Sequence, residues 1–230
     1  MIFTQYYPHA IIFDLDGTLV DSVPDLRRAL NEALGDLNEE GNQPALQVAT
    51  EQVRLWVGNG SHKLIERALL HLNIPLEELN LVHGYFLRRY EACVCEESYL
   101  YPGVLELLKV CQHKKLPMAL VTNKPIAFVP ALLNKLGISD FFEILLGGDS
   151  LSEKKPSAMP LLHAAGHLNV EPMKCLMVGD STADRASAKN AGIPCVLLQQ
   201  GYNQGKDLSQ LHPEWLLKDI PSLLSELSHT

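Results

Sequence analysis

Short runs of apolar residues recur along the chain, and polar or glycine-rich residues follow each one. Five such runs occupy positions 10–13, 118–121, 144–146, 175–178 and 195–198. Runs this short and this continuously apolar are typical of strands covered on both faces, because alternation is lost when neither face meets water. The pattern therefore predicts a sheet of buried parallel strands.

The segments between the later runs have the length and spacing of amphipathic helices. They lie at roughly 103–114, 125–136, 158–168 and 182–191. Strands that alternate with helices form βα units, which place their parallel strands in one open sheet. The expected fold class is therefore α/β.

The stretch between residues 23 and 99 has a different pattern. Its apolar residues recur at three- and four-residue spacing, and no strand-like run interrupts them. The two clearest series are Leu26, Ala29, Leu30, Ala33, Leu34 and Leu64, Ile65, Ala68, Leu69, Leu72. We interpret this block as an inserted all-helical domain at residues 22–100, with a core formed by residues 1–21 and 101–230.

Composition and charge narrow the possible partners. Apolar residues make up 47% of the 230 residues and charged residues 20%, which is the balance of an ordinary globular protein. The formal net charge of -8 disfavours nucleic acid and anionic membranes as partners, since both require a basic surface. No apolar run is long enough to span a bilayer, and the first residues lack the features of a signal peptide. We expect a cytoplasmic protein.

The polar residues after the first strand indicate a metal site. Asp14 and Asp16 lie at the carboxyl end of a parallel strand, where open α/β sheets bind ligands. Burying two carboxylates without a counter-ion is costly, and oxygen ligands of this kind suit Mg²⁺. The segment after the fourth run adds Asp180 and Asp184 at the same edge. We therefore expect a magnesium site there.

Two further segments offer groups that can hold a phosphate. The second run ends in Thr122-Asn123-Lys124, whose hydroxyl and turn amides suit phosphate oxygens at a helix N-terminus. One lysine of the pair Lys154-Lys155 can neutralise a phosphoryl group. Taken singly, these segments are more typical of turns and solvated loops. Together, in this order and each after its own strand, they favour a functional site.

In these segments the chain resembles the haloacid dehalogenase superfamily. The four motifs of that superfamily correspond to residues 14–18, 122–123, 155–156 and 179–184, and the resemblance covers the whole chain. It implies a three-layer, Rossmann-like core with a parallel five-stranded sheet whose first strand is central. It also implies a helical cap hinged over the strand ends.

The resemblance implies a role for each catalytic residue. Asp14 attacks phosphorus, and Asp16 protonates the leaving oxygen and then activates water. Thr122 and Lys155 hold the phosphoryl oxygens. A carboxylate nucleophile splits one difficult hydrolysis into two transfers, so these roles are physically consistent. Members that displace halide lack an acid at the position of Asp16, and its presence here disfavours dehalogenation.

The resemblance also implies how the metal is held. Mg²⁺ would rest on the Asp14 carboxylate, the Asp16 backbone carbonyl and Asp180. Asp184 and Ser181 are expected to support these ligands without touching the ion.

A small phosphorylated metabolite is the expected partner, and we predict which residues bind it. In the core these are Gly17, Thr18 and Asn123, and in the cap they are Gly58, Asn59, Gly60 and Lys63. The cap residues form a glycine loop that opens a helix, so free amides and Lys63 can face a small anion. The alternative is a plain helix start with a solvated lysine. Arg67 is a weaker candidate, and Tyr85, Phe86 and Tyr90 are expected to be cap core.

Four segments outside the shared motifs are similar to the bacterial phosphoglycolate phosphatases of this superfamily. They lie at 18–24, 56–60, 120–125 and 201–205. The likeness implies hydrolysis of 2-phosphoglycolate to glycolate and phosphate. A sugar phosphomutase with the same nucleophile is the alternative, and a non-catalytic metabolite-binding module is a third. The sequence leaves the oligomeric state open.

Overall fold

The computed structural model describes residues 6–37 and 46–228, and a six-stranded parallel sheet forms their centre. The strand order is β5-β4-β1-β6-β7-β8. The five strands predicted from the apolar runs are present. They are β1 Ala10–Phe13, β4 Met118–Val121, β5 Ile144–Leu146, β6 Cys175–Gly179 and β7 Cys195–Leu198.

The sixth strand corrects the prediction of five. Strand β8 covers Trp215–Leu217 and pairs in parallel with β7, with Val196 opposite Trp215. Its three residues are only partly buried, because the strand lies at the sheet edge. A half-buried run of three residues has no distinctive pattern of its own, so pairing with β7 defines it as a strand.

Helices cover both faces of the sheet and produce three layers. Ile11 and Phe13 of β1 join one buried cluster with α5, α6 and α9, whereas Ala10 and Ile12 join a second cluster with α7 and α8. This alternation follows from the two-residue period of a strand. The helices are α5 Val104–His113, α6 Val129–Lys135, α7 Met159–His167, α8 Thr182–Ala191 and α9 Ile220–Ser228.

Between Asp21 and Tyr99 the described residues form four α-helices, and the chain on either side of them forms a small two-stranded ribbon. The helices are α1 Val23–Leu37, α2 Thr50–Trp56, α3 Ser61–His71 and α4 Leu79–Cys93. Strand β2, Val20–Asp21, pairs antiparallel with β3, Tyr99–Leu100, and so brings the chain entering the helices beside the chain leaving them. The domain boundaries after residues 21 and 100 stay a prediction; in the chain, both positions belong to this ribbon. In the described part of the chain, no helix is both long enough and apolar enough to cross a membrane.

A buried carboxylate ties the first of these helices to the returning chain. Asp25 of α1 is fully buried and accepts hydrogen bonds from the backbone N–H groups of Glu97 and Ser98, at 2.8 and 3.0 Å. The hydroxyl of Ser98 donates to the same carboxylate. These bonds satisfy a charge that would otherwise be costly to bury.

Candidate active site

The candidate site lies at the carboxyl end of β1, where the two neighbouring strands also end. Asp14 is the residue after β1, and its N–H donates to Val178 of β6 at 2.9 Å. Thr122 follows β4 on the other side. The topology therefore brings the predicted nucleophile between two flanking strand ends, as the sequence predicted.

Lys155 lies directly against the predicted nucleophile. Its Nζ donates to Asp14 Oδ1 at 2.6 Å, to Asp184 Oδ1 at 2.6 Å and to the Val121 carbonyl at 2.7 Å. Burial by itself would lower the pKa of Lys155, but the carboxylates of Asp14 and Asp184 outweigh it, so that the pKa is raised. This lysine is therefore a fixed positive charge beside Asp14.

Three buried carboxylates form a group that fits a divalent cation. Oxygen atoms of Asp14, Asp180 and Asp184 all lie within 4.8 Å of one another. Burial raises the pKa of Asp14 to about 7; Lys155 opposes this rise, and Asp184 adds to it. Burial, followed by repulsion from Asp14 and Asp184, raises the pKa of Asp180 well above its usual value. Like charges this close favour binding of a cation, and an all-oxygen donor set suits Mg²⁺.

Asp180 is held by Thr18, which the sequence predicted to bind substrate, and by the backbone of Tyr202. The Thr18 hydroxyl donates to Asp180 Oδ1 at 2.8 Å, and the backbone N–H of Tyr202 donates to Oδ2. The N–H groups of Gly17 and Thr18 are used inside the turn, where they bond to Val20 and Leu15. The prediction that Gly17 and Thr18 bind substrate stays a prediction, and in this structure their N–H groups and the Thr18 hydroxyl have partners inside the protein. Thr18 positions Asp180, and Gly17 leaves room for it, because a Cβ at Gly17 would lie 2.3 Å from Asp180 Oδ2.

Asp184 and Ser181 form the N-terminal cap of α8. Asp184 Oδ2 accepts bonds from the N–H of Asp180 at 3.2 Å and from the N–H and hydroxyl of Ser181 at 3.0 and 2.6 Å. The Ser181 hydroxyl accepts from the Asp184 N–H in return, which completes a capping box. Since Lys155 occupies Oδ1, both oxygens of Asp184 are engaged by protein donors.

Asp16 is oriented by Ser22, which is close to it in the chain, and by Lys124, which is 108 residues away. Its Oδ1 accepts from the Ser22 hydroxyl at 2.6 Å, and Lys124 Nζ lies 3.0 and 3.2 Å from its two oxygens. The Lys124 side chain is only 3% exposed, and its ammonium lies 4.7 Å from the centre of the Tyr90 ring. The sequence pattern places Lys124 in the turn after β4 but indicates no function for its side chain.

A small cavity opens above these residues. Its volume is about 40 Å³. The polar part of its lining is Asp14, Asp16, Ser61, Thr122, Asn123 and Lys124. The remainder is apolar or glycine: Leu26, Val57, Gly58, Gly60, Leu64, Phe86, Tyr90, Pro125 and Phe128. Tyr90 and Phe86, expected as cap core, are buried and also form part of this wall.

The glycine loop between α2 and α3 contributes to the cavity through its backbone. Gly58 and Gly60 line the cavity, and the Asn123 side chain donates to the Gly58 carbonyl at 3.3 Å. Asn59 points elsewhere, because its side-chain oxygen accepts from Arg67 and Gln204, each at 2.8 Å. In this structure Asn59 and Arg67 therefore shape the loop and do not line the cavity.

The expectation that Lys63 faces the substrate is not supported. Its Nζ donates to both carboxylate oxygens of Glu66 at 2.7 Å, and the side chain is 46% exposed. Residues three apart in a helix are surface neighbours, so this pair is an ordinary feature of the solvent side of α3. The alternative reading, a helix start with a solvated lysine, fits better.

Tyr202, Asp21 and Arg54 form a polar network next to Asp180 that was not predicted from the sequence. Tyr202, whose N–H holds Asp180, donates its hydroxyl to Asp21 Oδ1 at 2.7 Å. Arg54 of α2 donates to the other oxygen of Asp21 at 2.8 Å. Although burial opposes it, these partners lower the pKa of Asp21. The signal was the segment 201–205, which was noted for its similarity to relatives and given no role.

Comparison with known proteins gives one consistent result. The sequence profile of the haloacid dehalogenase-like hydrolases matches residues 8–192. A phosphoglycolate phosphatase of Colwellia psychrerythraea is 42% identical over 222 residues, which cover 94% of this chain and 96% of that protein. One from Nitrosococcus oceani is 41% identical over 227 residues, with 95% and 97% covered.

Solved structures agree with these relatives. The crystal structure of a predicted phosphoglycolate phosphatase from Haemophilus somnus 129PT is similar to this fold with a TM-score of 0.85 and 35% identity. The match covers 97% of this chain and 98% of that one. These comparisons confirm the resemblance stated from the motifs.

Proposed function

This chain belongs to the haloacid dehalogenase-like hydrolases, and from that membership and the site geometry we propose that it hydrolyses a small phosphate monoester through Asp14. The observation that carries the proposal is the contact between Asp14 and Lys155. The buried ammonium of Lys155, 2.6 Å from Asp14 Oδ1, opposes the rise in pKa that burial causes, favours the ionised form that attacks phosphorus, and fixes the orientation of the carboxylate.

In the proposed reaction, two carboxylates act in turn. An oxygen of Asp14 attacks phosphorus, the bond from phosphorus to the leaving oxygen breaks, and an aspartyl phosphate forms. Asp16, which also lines the cavity, donates a proton to the leaving oxygen. It then removes a proton from the water that attacks the aspartyl phosphate, which releases phosphate and regenerates Asp14.

Phosphate binding is the role proposed for Thr122, Asn123 and Lys155. Thr122 and Asn123 line the cavity, and Lys155 lies beside the nucleophile. Positive charge and hydrogen-bond donors at this point lower the energy of the transition state, in which negative charge spreads over the phosphoryl oxygens.

Mg²⁺ is the proposed cofactor. Asp14 and Asp180 would hold it with their side chains, and Asp16 with its backbone carbonyl, while Asp184 keeps Lys155 in place. When bound, the ion neutralises charge on the phosphoryl oxygens and reduces their repulsion from Asp14.

We propose 2-phosphoglycolate as the substrate. Several relatives that align over most of the chain are named phosphoglycolate phosphatase. The cavity of about 40 Å³ has room for roughly three water molecules, which favours a small leaving group. Its apolar wall offers few partners for the hydroxyl groups of a sugar.

The test is a panel of small phosphate esters assayed with and without Mg²⁺. We expect wild-type protein to release phosphate fastest from 2-phosphoglycolate, to lose activity in EDTA and to regain it with Mg²⁺. Asp14→Asn should retain the fold and lose nearly all turnover, while Asp140→Asn, at an exposed aspartate, should behave as wild type.

Other outcomes identify the alternatives. Transfer of the phosphoryl group to a sugar, without release of phosphate, would indicate a phosphomutase. Binding of the esters without turnover would indicate a metabolite-binding module. Full activity of Asp14→Asn would refute the proposed nucleophile.

A further inference from the structure

One buried cation in the cavity is not used by the proposed chemistry. Lys124 follows Thr122 and Asn123 after β4, lines the cavity and is almost completely buried. The attacked phosphoryl group already has Lys155 beside Asp14. Among the residues that the structure describes, Lys124 is the one cationic side chain in the cavity lining.

Within the described ranges, Lys124 has a single carboxylate, that of Asp16, as its counter-ion. An ammonium has three N–H donors; the two oxygens of the Asp16 carboxylate accept from Lys124, the Tyr90 hydroxyl interacts with it as well, and Asp16 is the one carboxylate among these partners. The rest of its surroundings includes the face of the Tyr90 ring. Burying an ammonium is costly unless its donors are satisfied, so this site favours a further anionic or polar group.

One neutral group of the same cavity wall also has an unsatisfied atom. The Asn123 side-chain oxygen is buried and has no hydrogen-bond partner among the described residues, whereas the buried Tyr90 hydroxyl interacts with Lys124. Such atoms are rare in folded proteins and call for an explanation, one of which is a ligand that supplies the partner. Both residues line the cavity together with Lys124.

We propose that Lys124 is the residue that selects substrates with a carboxylate on the leaving group. This inference rests on the proposed phosphatase function and adds the specificity determinant. The phosphoryl group is held at Asp14, Thr122 and Lys155, and the second anion pairs with the Lys124 ammonium. Glycolate is small enough to extend from the phosphoryl group at Asp14 to the Lys124 ammonium. The apolar wall of the cavity then excludes esters with larger polar leaving groups.

The buried charge of Lys124 explains why it should discriminate strongly between leaving groups with and without a carboxylate. In a buried site an ion pair with the substrate is screened little by solvent, so a phosphate ester of equal size with an uncharged leaving group leaves the ammonium without its second partner. The exposed Lys63 lacks this property, because solvent and Glu66 already satisfy its charge.

The test compares two esters of equal carbon number, 2-phosphoglycolate and ethyl phosphate, in wild type, Lys124→Met and Lys63→Met. The readout is the ratio of kcat/KM for the two esters, which cancels any general loss of activity. We expect Lys124→Met to lower this ratio about 30-fold or more, since a buried charge pair is lost. Lys63→Met should change the ratio less than about twofold.

Other results would overturn the inference, and they differ from a failure of the proposed function. An equal loss on both esters in Lys124→Met would mean that Lys124 only orients Asp16. A wild-type enzyme that prefers ethyl phosphate would mean that no carboxylate is recognised. Wild-type protein that hydrolyses no ester with Mg²⁺ would refute the phosphatase function itself. Lys124→Gln, which keeps a polar group, provides the same comparison if Lys124→Met does not fold.

Discussion

Substitution of Gly17 by alanine should disrupt the candidate active site, because the added methyl group would displace Asp180. Gly17 has a φ of +91°, and a Cβ built there lies 2.3 Å from Asp180 Oδ2 and 2.9 Å from the Tyr202 ring. A side chain in this conformation costs about 1–2 kcal/mol. Overpacking a buried site costs about 1–3 kcal/mol more. We therefore expect Gly17→Ala to lower the free energy of unfolding by about 2–5 kcal/mol.

The same change should reduce turnover, because Asp180 has to move. A displacement of roughly 1 Å in a catalytic group can cost about 100-fold in rate. Urea unfolding measures the stability, and phosphate release titrated with Mg²⁺ measures kcat/KM and the metal requirement. We expect about a 100-fold loss of kcat/KM and a higher Mg²⁺ concentration at half activity.

Alanine substitutions at two other glycines distinguish the effect of backbone strain from that of the steric clash. A Cβ at Gly201 also lies 2.3 Å from Asp180 Oδ2, but Gly201 does not have a left-handed φ, so Gly201→Ala tests the steric clash alone. Gly84, inside α4, has no atom within 4 Å of an added Cβ, and Gly84→Ala should stabilise the protein by up to about 1 kcal/mol. Wild-type stability and turnover in Gly17→Ala would refute the assigned position of Asp180.

Three further changes test the connections around the site. Asp25→Ala leaves two backbone N–H groups without their acceptor, and should lower the free energy of unfolding by about 2–5 kcal/mol in urea titration; a change below about 0.5 kcal/mol would contradict this. Because Arg54 and Tyr202 lower the pKa of Asp21, Asp21 stabilises the fold above its unfolded pKa of about 4. The stability difference between wild type and Asp21→Asn should therefore shrink as pH falls below about 4, and a constant difference would refute the linkage. Gln204→Ala removes two hydrogen bonds to the glycine loop and should raise KM by about tenfold in steady-state assays, while an unchanged KM would show that the loop holds its position without them.

The core of the fold was predictable because its signals are local. A continuous apolar run predicts a buried strand wherever it pairs, and the five runs identified in the sequence are strands in the structure. The catalytic motifs follow those runs directly, so the prediction that Asp14, Thr122 and Asp180 meet at one sheet edge needed only parallel pairing. The position of Lys63 was also locally encoded, since Glu66 lies three residues later on the same helix face.

Other features depend on contacts between distant parts of the chain. The sixth strand exists because β7 offers an edge to the short run at Trp215. The ion pair of Lys124 with Asp16 joins residues 108 positions apart, and the bond from Thr18 to Asp180 joins residues 162 apart. A sequence pattern records periodicity and burial, whereas the partner of a buried polar group is decided by which groups the packed layers bring within hydrogen-bond distance. For that reason the sequence determined the strands of the framework and predicted the nucleophile, and the tertiary structure alone decided which lysine lines the cavity.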